Sequence, residues 1–320
     1  MSPRARTALI VAALAALAGV IVAGASVISS DERDSGAATT VAPKPRTGAP
    51  PLELSFGVRD DAEARDLRRA VRLYEAGRRT QAGAIFSRYD SLEAKLGAAF
   101  AAWPGTEDRI EQLGALYPRS ALVQLHVGLA RLWAGTGEAG TAWREARDVE
   151  PDTPYAVWAD DFIHPELAPG LPVFTPSFSY RVPGGTPAAQ LEALRADHSR
   201  RGLLIYGIAL QRLGRPVSAR RAFAEARRLA PNNVDALVAD AVGRYEKSDP
   251  AGAFGRLGPL TRTFPASASV RFHLGVLLLW QGNVKEAKRQ LRLARAAEPG
   301  SRIAREAERY LQELGKAGTG

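Results

Sequence analysis

Apolar residues recur at helical spacing along most of the chain after residue 60, and small residues interrupt them at regular places. Between 274 and 299, LGVLLLWQGNVKEAKRQLRLARAAEP, small side chains stand at Gly275, Gly282, Ala287 and Ala294, and the stretch stops on Pro299. The gaps run seven, five, seven and five. The stretch ending at Pro231, YGIALQRLGRPVSARRAFAEARRLAP, repeats them with Gly207, Gly214, Ala219 and Ala226. Between the two, Ala241, Ala253 and Pro265 keep the register, with Ser248 and Leu260 in place of the second glycine and second alanine. Prolines 231, 265 and 299 therefore follow one another at intervals of 34 residues.

This spacing predicts pairs of antiparallel helices. Where the two helices of a pair cross, the backbones approach too closely for a large side chain, which selects Gly or Ala. The second glycine suits the turn between helices, because glycine tolerates positive φ at a helix end. Proline after the second helix cannot continue it and sets the boundary of the next unit. The pattern resembles the tetratricopeptide repeat, a 34-residue helix-turn-helix that stacks into a solenoid. On that resemblance the fold class is all-α, with three units at 200–233, 234–267 and 268–301. A capping helix over 302–316 follows, with Ser301 as N-cap and apolar Ile303, Tyr310, Leu311 and Leu314 on one side.

The N-terminal half carries the same signal in degenerate form over 57–153. Ala70, Gly77, Ala82 and Phe86 are in register in 63–89. A shortened unit, 90–119, keeps LGAAF at 96–100 and Pro118. The stretch 120–153 shows Gly128, Gly135, Ala139, Ala146 and Pro151, one residue short at the turn. The anomaly lies in 154–199. Residues 160–185, DDFIHPELAPGLPVFTPSFSYRVPGG, hold five prolines and four aromatics without helical period. A connecting helix then starts at Pro187 with Thr186 as N-cap. An irregular segment of this length inside a compact array is uncommon and points to function or disorder. The content of Phe162, Phe174, Phe178 and Tyr180 argues against simple disorder. Its prolines keep it extended, and Phe174, Phe178 and Tyr180 are expected to dock on the array.

Ahead of the array, residues 7–28, TALIVAALAALAGVIVAGASVI, contain no charge. As a helix they span roughly 33 Å, enough to cross a bilayer. A transmembrane anchor is expected there, with a signal cleaved after Ala23-Gly24-Ala25 or a buried core helix as alternatives. Arg4 and Arg6 precede the span and DERD follows it, which keeps residues 1–6 in the cytoplasm and puts the rest outside. Residues 29–56, rich in Pro, Ala, Thr and Gly, read as an extended linker.

Composition narrows the chemistry. No cysteine is present, which excludes disulfides, thiolate metal sites and cysteine nucleophiles. Lys and Arg number 43 against 34 Asp and Glu, an excess that ordinarily suggests nucleic acid or anionic surfaces. Outside a membrane there is little nucleic acid to meet, so no nucleic-acid partner is expected. Arg220, Arg221, Arg227, Arg228, Lys288, Arg289, Arg292 and Arg295 fall largely on outward positions of two second helices, as a solvated face or a contact for anionic lipid head groups or wall polymers. His126, His164, His198 and His273 are scattered, and the nearest approach to a metal set, Asp160, Asp161, His164 and Glu166, matches no metal-binding signature. Neither a phosphate-cradling glycine loop nor a G-x-S-x-G elbow occurs. No enzyme activity, metal or cofactor is expected. The alternative is an enzyme or enzyme subunit with its active segment in 160–185.

The resemblance implies that first-helix residues line a concave groove that binds a protein or peptide partner. Carried over, these are Leu204, Ile208 and Gln211, then Val238, Val242 and Tyr245, then Phe272, Val276, Leu279 and Trp280. Chaperone-binding members clamp a carboxylate with Lys, Asn and Arg, whereas this groove is mainly apolar. An apolar patch of that size is rarely left bare. Three occupants are open: a partner peptide, the 160–185 insertion folding back, or a second copy of the chain as a homo-oligomer. The same side chains also suit a core between adjacent helices. The expected protein is a membrane-anchored extracytoplasmic scaffold for protein-protein contact.

Overall fold

A computed structural model describes residues 44–316. The expected cytoplasmic end, the span 7–28 and the linker up to residue 43 lie outside the described residues. Among the described residues there are fifteen helices and no strand, and no helix is long and apolar enough to cross a membrane. The chain divides after Ile163 into two compact units, each with its own core.

The first unit contains α1 (Ala62–Glu75), α2 (Arg79–Phe86), α3 (Leu92–Ala101), α4 (Glu107–Leu116), α5 (Ala121–Ala134), α6 (Ala139–Val149) and α7 (Pro154–Ile163). These form three antiparallel hairpins followed by a closing helix. The second unit contains α8 (Pro187–Ala196), α9 (Arg200–Arg212), α10 (Pro216–Leu229), α11 (Val234–Val242), α12 (Ala251–Thr263), α13 (Ala268–Trp280), α14 (Val284–Ala297) and α15 (Arg302–Lys316). After α8 it repeats the plan: three hairpins and a closing helix.

Local chemistry fixes the helix ends. The side-chain oxygens of Asp61, Ser91, Ser120, Thr186, Ser199, Asn233, Ser267, Asn283 and Ser301 each accept from the backbone N–H three residues on. That satisfies one of the donors every helix start leaves open. Gly77, Gly135, Gly214 and Gly282 turn the first helix into the second with φ between +67° and +74°, where a side chain is strained.

The crossings are as close as the small residues suggest. A Cβ on Gly207 would stand 2.2 Å from the Phe223 ring, and one on Gly128 would stand 2.3 Å from the Trp143 indole. Gly275 is less tight, with Leu291 at 3.0 Å. The array ends by covering its last apolar face: Ile303, Ala307, Tyr310 and Leu314 of α15 are buried, and the Tyr310 ring sits edge-on to Phe272 at 5.4 Å.

Three details differ from the sequence reading. Residues 160–163 are the end of α7, so the irregular segment starts at His164. Helix α11 is only nine residues long, which leaves Tyr245 in the turn that follows. The outward arginines are largely neutralised by neighbours: Arg220 pairs with Glu246, Arg227 with Asp240, Arg228 with Glu225, Arg289 with Glu286 and Arg295 with Glu308. Asp240 is buried and also receives Arg244 and Arg256, so much of this charge holds helices together.

Candidate functional site: two grooves and their straps

In the second unit the irregular segment from His164 crosses the face made by α9, α11, α13 and α15. Phe174 is fully buried among Leu204, Ile208, Val238, Val242, Phe272 and Val276 in one apolar cluster, stacked on His273 at 5.2 Å and edge-on to Phe223 at 5.8 Å. Phe178 and Tyr180 stop at its margin, half-buried under the guanidinium groups of Arg201 and Arg302. Side chains of the helices then take up the strap's main chain. Gln211 accepts from Phe174 N–H at 2.9 Å and donates to the Pro172 carbonyl at 3.2 Å. The Trp280 indole donates to the Gly170 carbonyl, and Arg302 donates to the carbonyls of Pro176 and Phe178. Asp235 accepts from both the N–H and the hydroxyl of Ser177.

The first unit has a strap as well, at a place where the sequence suggested a free linker. From Lys44 to Phe56 the chain lies across α1, α5 and α7 with Pro50, Leu52, Leu54 and Phe56 buried, so the linker reading fails for residues 44–56. The Tyr74 hydroxyl donates to the Pro50 carbonyl at 2.5 Å, and the Tyr155 hydroxyl both accepts from Ser55 N–H and donates to its carbonyl. Burial pushes both phenols well above their usual range, which keeps their protons in place for donation.

The two straps superimpose in sequence at an offset of 122 residues. Residues 47–56, TGAPPLELSF, and 169–178, PGLPVFTPSF, share the pattern G-x-P-x4-S-F. Gly48 and Gly170 both have positive φ, +83° and +69°, with no atom close enough to crowd a Cβ, so backbone conformation alone calls for glycine. Arg46 N–H donates to the Trp133 carbonyl, and Ala168 N–H donates to the Trp280 carbonyl. Tyr74 and Gln211 hold the two proline carbonyls. Arg68 and Arg201 cover the two phenylalanines.

At the centre of each groove is a buried histidine. His126 and His273 each place Nδ1 at 2.7 Å from the carbonyl four residues back, Leu122 and Ser269 respectively. A carbonyl only accepts, so the ring proton belongs on Nδ1. That leaves Nε2 as acceptor for the strap, from Glu53 N–H at 3.2 Å and Thr175 N–H at 3.0 Å. Complete burial lowers both pKa values to about 4, so the rings are neutral as this geometry requires. One difference stands out. Glu53 is buried at the position of Thr175, and burial, with the charges of Asp161 and Glu75 adding to it, raises its carboxyl to about 8.

The residues named from sequence therefore have a common address. Leu204, Ile208, Val238, Val242, Tyr245, Phe272, Val276, Leu279 and Trp280 are all buried in the second unit's core, and Gln211 is half-buried at the strap. Of these, Gln211 and Trp280 hydrogen-bond the strap directly. The sequence reading missed His126, His273, Asp235, Arg302, Tyr74 and Tyr155. A signal for the histidines existed: Ser120, His126, Gly128 and Trp133 recur 147 residues later as Ser267, His273, Gly275 and Trp280. The acidic set is not brought together. Asp160 lies on α7 near Arg147, His164 approaches Glu166 at 3.6 Å, and among the described residues no three His, Cys, Asp or Glu side chains are grouped to hold a metal.

Hairpins with Gly or Ala crossings, glycine turns and closing helices make this an all-α repeat fold of tetratricopeptide type, present as two tandem arrays that each hold an extended segment of the same chain. No protein-family model and no curated protein matches the sequence. Two solved structures to which the chain is similar are yeast Tom70 and the APC/C hetero-tetramer Cut9-Hcn1. Tom70 is 13% identical, with 84% of this chain and 52% of that chain covered at a TM-score of 0.36. For Cut9-Hcn1 the identity is 14%, the coverage 80% and 56%, and the TM-score 0.27. This chain thus spans about half the length of each. Likeness at this level carries no weight, and the repeat assignment rests on the hairpin geometry above.

Proposed function

We propose that the chain is a scaffold for protein-protein contact, anchored in a membrane by residues 7–28, with both arrays on the extracytoplasmic side and the first-helix grooves as its partner-binding faces. The observation that supports this is the way the grooves hold the straps: an extended polypeptide is gripped through its main-chain N–H and C=O groups by Gln211, His273, Trp280 and Arg302. Main-chain capture with a few side-chain pockets is a recurring mode of peptide recognition. A partner segment then takes the strap's place along Leu204, Ile208, Val238, Val242, Phe272 and Val276. The basic outward face is a weaker candidate, since most of its charge is already paired.

The test is crosslinking in intact cells. A photoreactive residue at Arg201, exposed at the groove rim, is expected to capture a protein partner, and one at the exposed outward Arg292 is not. Capture at Arg292 alone would overturn the groove reading. A reporter fused after Gly320 that is active only in the cytoplasm would overturn the extracytoplasmic placement.

A further inference from the structure

We infer that both grooves read one recognition element, an extended polypeptide segment of the form G-x-P-x4-S-F, and that the two straps are its resident copies. The inference rests on the groove reading above and names the chemistry of the partner segment. The straps agree at four of the ten aligned positions, and most of those four have a defined task. The glycine turns through positive φ, the buried proline presents its carbonyl to Tyr74 or Gln211, and the phenylalanine lies under Arg68 or Arg201. The serine is held through its backbone by Tyr155 in one groove and through N–H and hydroxyl by Asp235 in the other.

The positions that differ are engaged mainly through backbone. Glu53 and Thr175 have little in common as side chains, yet each gives its N–H to the groove histidine. Arg46 and Ala168 likewise give theirs to a tryptophan carbonyl. The apolar position four residues after the glycine accepts Leu52 or Phe174 and is buried in both cases. A groove that reads backbone plus a few anchors does not distinguish a covalently attached segment from one supplied by another chain. Attachment gives the resident strap an effective concentration in the millimolar range, so an outside segment has to compete with it and binds far more readily where the strap is weakened.

The experiment uses the full chain. In Pro50→Ala/Phe56→Ala the first strap loses two buried rings and the constraint of the proline while its main-chain carbonyls and every helix are left intact, and a labelled synthetic peptide of residues 164–180 is the probe, read by fluorescence anisotropy. The peptide is expected to bind this variant at least about tenfold tighter than wild type. A peptide with Gly170→Val, Pro172→Ala, Ser177→Ala and Phe178→Ala is expected to bind at least about tenfold more weakly than the intact one. The reciprocal arm, Phe178→Ala probed with a peptide of residues 44–58, removes only a half-buried ring and decides the matter if the first variant fails to fold. Equal binding of intact and altered peptides, or none to a folded variant, overturns the inference. A mixed dimer of wild-type and weakened chains that the intact peptide dissolves supports it, with a second copy as donor. A partner captured at Arg201 without the pattern overturns the element and leaves the scaffold reading standing.

Discussion

The two grooves do the same task with different side chains. In the second groove the uncharged Thr175 faces His273, and the central anchor is an aromatic ring between His273 and Phe223. In the first, Leu52 replaces the ring, a phenol replaces the Gln211 amide, and an acid is buried where Thr175 stands in the other. What stays constant is main-chain geometry: the glycine turn, the proline carbonyl and the N–H to histidine. The comparison teaches that the seat is defined by a backbone path, which different side chains accommodate in the two grooves.

The largest way to break the parallel is to remove the central anchor. Phe174→Ala is expected to destabilise the second unit by about 3–5 kcal/mol, because a full ring leaves a cavity that the surrounding helices fill only in part. Leu52→Ala removes a smaller group and is expected to fall nearer the lower end of about 2–5 kcal/mol in the first unit. Urea unfolding monitored by circular dichroism on each full-length variant measures both, and a larger loss for Leu52→Ala would contradict the equivalence of the two positions.

Proton linkage sharpens the difference. The folded Glu53 carboxyl titrates at about 8, above its ordinary 4.5, so its contribution is fully present below 4.5 and is lost as pH rises through 8. The first unit is therefore expected to weaken over that window by roughly 2–4 kcal/mol, and Glu53→Gln to abolish the loss. Thr175→Glu is expected to install a similar alkaline sensitivity in the second unit. Thermal melts between pH 5 and 9 test this, and an unchanged profile for Glu53→Gln would remove Glu53 as the cause.

Acid acts on both grooves alike. Here the folded pKa is lowered, to about 4 from 6.5, so the stabilisation is present above 6.5 and is lost as pH falls through 4. Each unit is expected to lose on the order of 2–3 kcal/mol over that interval. NMR titration of the ring carbons of His126 and His273 checks it, and a ring that protonates near 6.5 in the folded chain would refute the buried tautomer.

The smallest effect concerns the crossings. Gly275→Leu is expected to cost about 1–3 kcal/mol by overpacking against Leu291. Gly128→Leu should cost more, since the Trp143 ring is already closer than any Cβ tolerates. Equal melting temperatures for the two variants would contradict the ranking.

Much of this architecture was readable in the sequence because hairpins are local. Gly207, Gly214, Ala219 and Ala226 report contacts within one 34-residue unit, and Ser301 announces the closing helix from the adjacent residues. Docking of Phe174 on the array was expected from its apolar ring and the prolines around it, while a partner peptide and a second copy stayed open as occupants of the groove. The first strap was not readable the same way. An extended segment has no helical period, and its partners Tyr74, His126 and Tyr155 lie 24, 73 and 100 residues from the groups they hold. The histidines looked scattered because each takes its meaning from a segment far away in the chain. Only the duplication ties them together, through two patterns repeated at different offsets.

The straps also set an order of events. Hairpins close short loops and form early, whereas seating the first strap must wait for α5 and α7, and seating the second requires α13, whose His273 lies 98 residues beyond Thr175. On a growing chain, residues 44–57 leave the ribosome before any helix of their groove exists. Synthesised first and seated last, that segment spends the whole translation of its unit uncovered, with Leu52, Leu54 and Phe56 open to whatever chaperone or neighbouring nascent chain arrives before Tyr155 does.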